Sequence, residues 1–111
     1  MGQSVTQVRI NAEYLCYPTW VTRPEDGEVN PDPRHLGISE DLAAALDAWS
    51  EEFDAIFPAD DPGSAAFPSA GAEAAFHDRG RGLAARVAAE LPGVDVSYFD
   101  PGSGWVRAEA A

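Results

Sequence analysis

Two apolar stripes, each repeating with the period of an α-helix and each bounded by cap and breaker residues, restrict the architecture more than anything else in this chain. In the first, Leu42, Leu46, Trp49, Phe53 and Ile56 recur at spacings of four, three, four and three, which holds them along one side of a helix. Ser39 supplies an N-cap, Glu40 and Asp41 place negative charge in the first turn, where the helix dipole favours it, and Pro58 ends the run. In the second, Ser69 caps a stripe of Phe76, Gly80, Leu83, Val87 and Leu91 that Pro92-Gly93 closes. The one local conflict is Gly80. Glycine in a helix interior costs about 1 kcal/mol relative to alanine, so its place in an apolar stripe predicts close approach by Trp49 or by a backbone.

Helices with one apolar side need a surface to cover, and the flanking segments provide it. Val8, Ile10, Ala12 and Tyr14 alternate with Arg9, Asn11, Glu13 and Leu15, the period-two pattern of a half-buried strand. After the second helix, Val94, Val96 and Tyr98 alternate with Asp95, Ser97 and Phe99, and the turn residues 100–104 lead into a last short strand with Trp105 and Arg107. Residues 19–38 hold Pro24, Pro31 and Pro33 and read as a long acidic loop, pinned at its start by Trp20 and Val21. The expectation is a single α+β domain over residues 1–111, in the order strand, helix, helix, strand, strand. Both helices lie on one face of a sheet of about three strands.

The chain carries a formal net charge of −12, and residues 24–61 hold twelve of the nineteen acidic residues with Arg34 as their one cation. Such a balance disfavours nucleic acid and anionic lipid, whose phosphates are bound by Lys and Arg, and favours a basic protein partner. No apolar run approaches the roughly 18 residues that span a bilayer, so the expectation is a soluble, cytoplasmic protein without membrane attachment. Residues 1–6 fit only a loose acylation pattern. On a helical wheel Asp47, Glu51 and Asp54 fall within roughly 40° of Glu40 and opposite the apolar stripe. Like charges three and four residues apart repel, and no Lys or Arg within the helix relieves them. Glu40, Asp47, Glu51 and Asp54 therefore form the candidate partner-binding face, extended by Asp60 and Asp61 in the next linker and by Trp20; a solvated acidic surface is the competing reading.

Other constellations are weaker. Glu25, Asp26, Glu28, Asn30 and Asp32 offer oxygen ligands of the kind calcium takes, but the spacing departs from a calcium-binding loop and no metal or other cofactor is expected. Cys16, His35 and His77 match no catalytic or zinc signature, and no enzymatic activity is expected. Tyr14, Tyr17, Trp20 and Trp105 are candidates for an exposed aromatic patch. Arg79 and Arg86 share a flank of the second helix from which they can pair with Asp41 or Glu52.

The set Tyr17-Pro18-Thr19-Trp20, Ile38-Ser39, Leu42, Leu46, Trp49, Phe53-Asp54, Asp61-Pro62, Phe76, Gly80, Leu83 and Glu90-Leu91 resembles a group of small acidic actinobacterial proteins. That resemblance implies no activity, cofactor or catalytic residue. In size and charge the chain is also similar to bacterial immunity proteins, small acidic cytoplasmic proteins that cover the basic active site of a toxin. Three readings stay open at this point: an immunity-like module that binds and neutralises a basic protein, a mimic of nucleic-acid charge, and a small ligand-binding domain or enzyme with a pocket between sheet and long loop.

Overall fold

The computed structural model describes residues 7–24, 27–58 and 60–109. Its order is β1 (Gln7–Ile10), β2 (Thr19–Arg23), β3 (Gly27–Val29), a 3-10 helix (Pro33–Leu36), α1 (Glu40–Asp54), a short 3-10 turn (Pro62–Ser64), α2 (Ala70–Glu90), β4 (Asp95–Asp100) and β5 (Gly104–Arg107). The architecture is α+β with two helices, as the apolar stripes require. The sheet, however, has five strands rather than about three, in the order β3-β2-β1-β4-β5. Neighbours are antiparallel except β1 and β4, which pair in parallel with Val8 opposite Val96 and Ile10 opposite Tyr98.

The segment read as a loop at 19–38 contains both missing strands. Thr19, Trp20, Val21 and Thr22 are β-branched or aromatic and lie between Pro18 and Pro24, a short strand signal that the surrounding prolines and carboxylates obscured. Asp26-Gly27 is a hairpin dipeptide in sequence, and Gly27, the first residue of β3, takes a left-handed φ of 70°. At three residues, β3 is too short to show any period. The first strand is correspondingly shorter than its alternation suggests: past Ile10 the Asn11 amide turns to donate to the Pro18 carbonyl at 3.0 Å, and Tyr14 and Leu15 are exposed. Residues 1–6, with their acylation pattern, and Glu25 and Asp26, two of the candidate calcium ligands, lie outside the described residues.

Val8, Ile10, Val21, Val96 and Tyr98 from the sheet meet Leu42, Leu46, Trp49, Phe76, Leu83 and Val87 from the helices in one core. Leu36 of the 3-10 helix joins it, while Phe53, Leu91 and Val94 are only partly buried at its edge. Both serine caps form: Ser39 accepts from the Leu42 amide and Ser69 from the Ala72 amide. The Glu90 carboxylate, at the far end of α2, accepts from the Ser39 amide at 2.6 Å and the Ser39 hydroxyl at 2.9 Å, fastening the start of α1 to the end of α2. Those two bonds hold Glu90 below the ordinary carboxylate range. Arg79 pairs with Glu52 across the helices as its flank predicts, an exposed pair of the sort that contributes about 0 to 1 kcal/mol. Among the described residues no helix is long and apolar enough to cross a membrane.

Candidate functional site

The β1–β2 loop folds over the C-terminal half of α1, and the space between them is an acidic cleft of about 660 Å³. Asp47, Ser50, Glu51 and Asp54 line it from α1, Leu15, Cys16, Tyr17 and Pro18 from the loop, and Asn30 and Asp32 from the segment after β3. The loop is held at several points. Asn30 accepts from the Tyr17 amide at 3.1 Å and donates to the carbonyls of Tyr17 and Thr19 at 2.8 and 2.7 Å, and Ser50 donates to the Cys16 carbonyl at 3.3 Å. Asp54 accepts the Leu15 amide at 3.0 Å. Leu15 itself has a φ of 60°, a conformation that L-residues with a Cβ adopt at a cost, and is 74% exposed. Backbone strain of this sort persists only where neighbours enforce it. Here it lifts a large apolar side chain into solvent beside four carboxylates.

No Lys or Arg of α1 relieves its acidic face, but a cation from another element reaches the first half of it. The 3-10 helix delivers Arg34 to it: Nε lies 3.0 Å from Glu40, and one terminal nitrogen lies 2.6 Å from Asp47 and 3.3 Å from Asp32. The hydrogen bond to Asp47 leads the effects that raise the guanidinium above its ordinary value. Asp32, which caps this 3-10 helix, is held below the carboxylate range first by the Arg34 amide and then by its side chain. Helical-wheel reasoning sees only charges on the same helix, so an Arg six residues before Glu40, on a different element, escapes it. Arg34 thus offsets Asp32, Glu40 and Asp47, while Glu51 and Asp54 have no ion-pair partner among the described residues.

The remaining sequence candidates disperse. Glu40 is tied to Arg34 and does not line the cleft. Asp60 and Asp61 are exposed in the linker after α1, and neither lines it. Trp20 lies on the sheet face away from the helices, opposite Arg9 in register, with its indole donating to the Asn11 carbonyl at 3.1 Å. There it shares a groove with Arg9, Glu28 and Trp105, and the Arg9 guanidinium lies 4.9 Å from the centre of the Trp105 ring. The expected aromatic patch is therefore divided: Trp20 and Trp105 share that groove, Tyr14 stacks on Phe57 at 4.0 Å, and Tyr17 borders the acidic cleft. Cys16 sits in the β1–β2 loop, half-buried and in no disulfide. Among the described residues no group of three His, Cys, Asp or Glu side chains is placed to hold a metal ion.

A second cleft, of about 500 Å³, opens on the other side of the same loop. Trp49, Phe76 and Tyr98 belong to the core and reach it from below, while Phe53, Phe67, Phe99 and Trp105 surround it together with Glu13, Glu73 and His77. The Tyr98 hydroxyl lies 2.6 Å from Nδ1 of His77, and in the neutral tautomer with its proton on Nε2 the hydroxyl donates to that nitrogen. Burial holds His77 below its ordinary value, outweighing the carboxylates of Glu73, Asp100 and Asp78, while Arg81 acts in the same direction as burial. Burial likewise raises the Tyr98 hydroxyl. The unfolded chain takes up this proton more readily than the folded one, so the contribution of His77 to stability is present above its ordinary value, about 6.5, and is lost as pH falls below it. Replacing His77 with Gln should flatten the decline of the urea midpoint between roughly pH 7 and 5. An unaltered decline would show that His77 is not coupled to folding.

Two helices layered on a mixed five-stranded sheet, with an acidic cleft beside a protruding apolar residue, define a small α+β protein. A family model described as Serratia CdiI immunity protein-like matches residues 6–101, a span that includes β1 through β4 and both helices. The chain belongs to this immunity-protein family, and membership implies a protein toxin as partner. The likeness in size and charge to bacterial immunity proteins thus has a family match behind it. A comparison with curated proteins gave no match.

Proposed function

We propose that this chain neutralises its toxin by seating the cleft between α1 and the β1–β2 loop on a basic surface of the toxin, with Leu15 as the apolar anchor. The observation that carries this reading is the convergence of Asp32, Asp47, Glu51 and Asp54 around an exposed leucine held in a left-handed conformation by one of those same carboxylates. An apolar anchor with a charged rim is the anatomy of a specific interface, the anchor governing dissociation and the rim governing encounter. A mimic of nucleic-acid charge would set its carboxylates along a rod to fill the groove of a nucleic-acid-binding protein, and their gathering in one cleft favours a compact basic patch on the toxin instead. Glu40 adjoins this surface through Arg34, and Asp60 and Asp61 lie exposed beyond the end of α1, whereas Trp20, on the far face of the sheet, is left out of it.

The test separates rim from anchor. Asp47 is paired with Arg34 and Asp54 carries the Leu15 amide, so neutralising them disturbs local structure as well as charge. Glu51→Gln is the clean change. Once the partner toxin has been isolated from the source cells, Glu51→Gln should slow association by roughly two- to fivefold at low salt, weaken the salt dependence and leave dissociation nearly unchanged. Leu15→Ala should instead raise the dissociation rate by about tenfold, the effect of losing a moderate anchor. Parent-like kinetics for both variants would remove this surface from toxin recognition.

A further inference from the structure

The aromatic cleft between α2, the end of β1 and the β4–β5 hairpin has no part in the interface proposed above, and its chemistry is distinct. We propose that it is a second recognition pocket that takes a cationic side chain, the guanidinium of Arg or the ammonium of Lys, carried on a chain segment of the same toxin. This inference rests on the toxin-binding reading, because that reading makes the occupant protein-borne.

The argument is one of complementarity. Aromatic rings present a negative face, and a cation held over such faces away from bulk water is attracted more strongly than one at an open surface. Phe53 and Phe67 lie 6.4 Å apart on one side of the cleft, and Phe99 and Trp105 meet edge to face at 5.1 Å on another. Phe99 and Trp105 are 36% and 45% exposed, far more than core aromatics and accessible to a ligand. Two carboxylates, Glu13 and Glu73, stand among these rings, and no Arg is among the described residues that line the cleft. Asn11 donates to Glu13 at 3.2 Å, which orients that carboxylate. His77 is kept uncharged near neutral pH by its burial and so does not oppose a cation. The same chemistry operates inside the molecule next door, where Arg9 lies against Trp105 in the adjoining groove. The volume, about 500 Å³, and the open mouth suit a side chain entering with the backbone that bears it.

Three probes on the isolated protein test the proposal: acetylated and amidated Gly-Arg-Gly, the same tripeptide with uncharged citrulline in place of Arg, and agmatine, which is the arginine side chain without a backbone. Binding is read from the indole and His77 ring resonances in NMR titrations. The arginine tripeptide should saturate in the millimolar range, at least about tenfold tighter than the citrulline tripeptide and several-fold tighter than agmatine. Glu73→Gln, an exposed change on α2, should weaken it several-fold, whereas Glu51→Gln should leave it unaltered. Equal binding of the citrulline tripeptide, no saturation at all, or insensitivity to Glu73→Gln would overturn the proposal. Binding of agmatine in preference to the tripeptide would also overturn it, by making the cleft a site for a free organic cation. Because these readouts involve neither Leu15 nor Glu51, failure here leaves the acidic interface standing, and failure of the Glu51 and Leu15 kinetics is detected separately.

Discussion

Trp49→Ala should lower the stability of this protein by about 3 to 5 kcal/mol, read as a shift of the urea or guanidinium midpoint at constant slope. Trp49 is 2% exposed and lies at the junction of both helices and the sheet. Its indole stacks on Phe76 with ring centres 4.6 Å apart, tilts against Tyr98 at 6.0 Å, and donates its N–H to the Phe76 carbonyl at 2.9 Å. Truncation therefore removes a large buried area, leaves a cavity that stiff neighbouring rings fill poorly, and loses the buried indole hydrogen bond. A domain of ordinary stability has about 5 to 15 kcal/mol in total, so much of it goes. Trp49→Phe separates the contributions, since it retains most of the apolar volume and loses the hydrogen bond; about 1 to 3 kcal/mol is expected for it. A midpoint unchanged by Trp49→Ala would show that the α1 stripe does not face the core.

Gly80→Ala should destabilise by about 1 to 3 kcal/mol or more, although alanine is the better helix former by about 1 kcal/mol. A Cβ at this position would lie 2.5 Å from Cζ2 of Trp49 and 2.5 Å from Cε1 of Tyr98, with the Tyr98 hydroxyl at 2.6 Å. All three atoms belong to buried rings with little room to withdraw, so α2 would have to move off the sheet. Helix propensity and packing thus act in opposite directions, and packing prevails by the larger magnitude. Gly82, two residues on, has open space around it, and Gly82→Ala should stabilise the protein by up to about 1 kcal/mol. Equal effects at the two glycines would refute the steric account. In the Trp49→Ala background the penalty at Gly80 should shrink, because one of the two obstructing rings is gone while Tyr98 remains.

The conflict at Gly80 was visible in the sequence as a helix breaker in an apolar stripe, with Trp49 or a backbone as the expected close neighbour; the structure selects Trp49 and adds Tyr98, a contact between α2 and β4 that the sequence did not show. The helices with their serine caps and the alternation of β4 were legible because each rests on periodicity or capping chemistry, whereas the parallel pairing of β1 with β4 is a long-range relation that only the tertiary structure decided. The two missing strands were not legible. β2 is five residues between prolines and β3 is three residues at a sheet edge, lengths over which a period of two barely repeats, so their pairing with β1 decides them.

The candidate site divides along the same line. The sequence by itself determined that α1 bears an acidic side opposite its apolar stripe and that the chain has far more carboxylates than cations. Tertiary structure alone decided which carboxylates act together. Arg34 reaches Asp47 because a 3-10 helix turns back along α1, Asp32 joins Glu51 and Asp54 because the segment after β3 runs beside the β1–β2 loop, and Leu15 is presented because Asp54 holds its amide from 39 residues away. A helical wheel carries one angle per residue of one element, whereas a cleft is a relation among elements, and its geometry is set by loop paths and long-range hydrogen bonds that leave no period in the sequence.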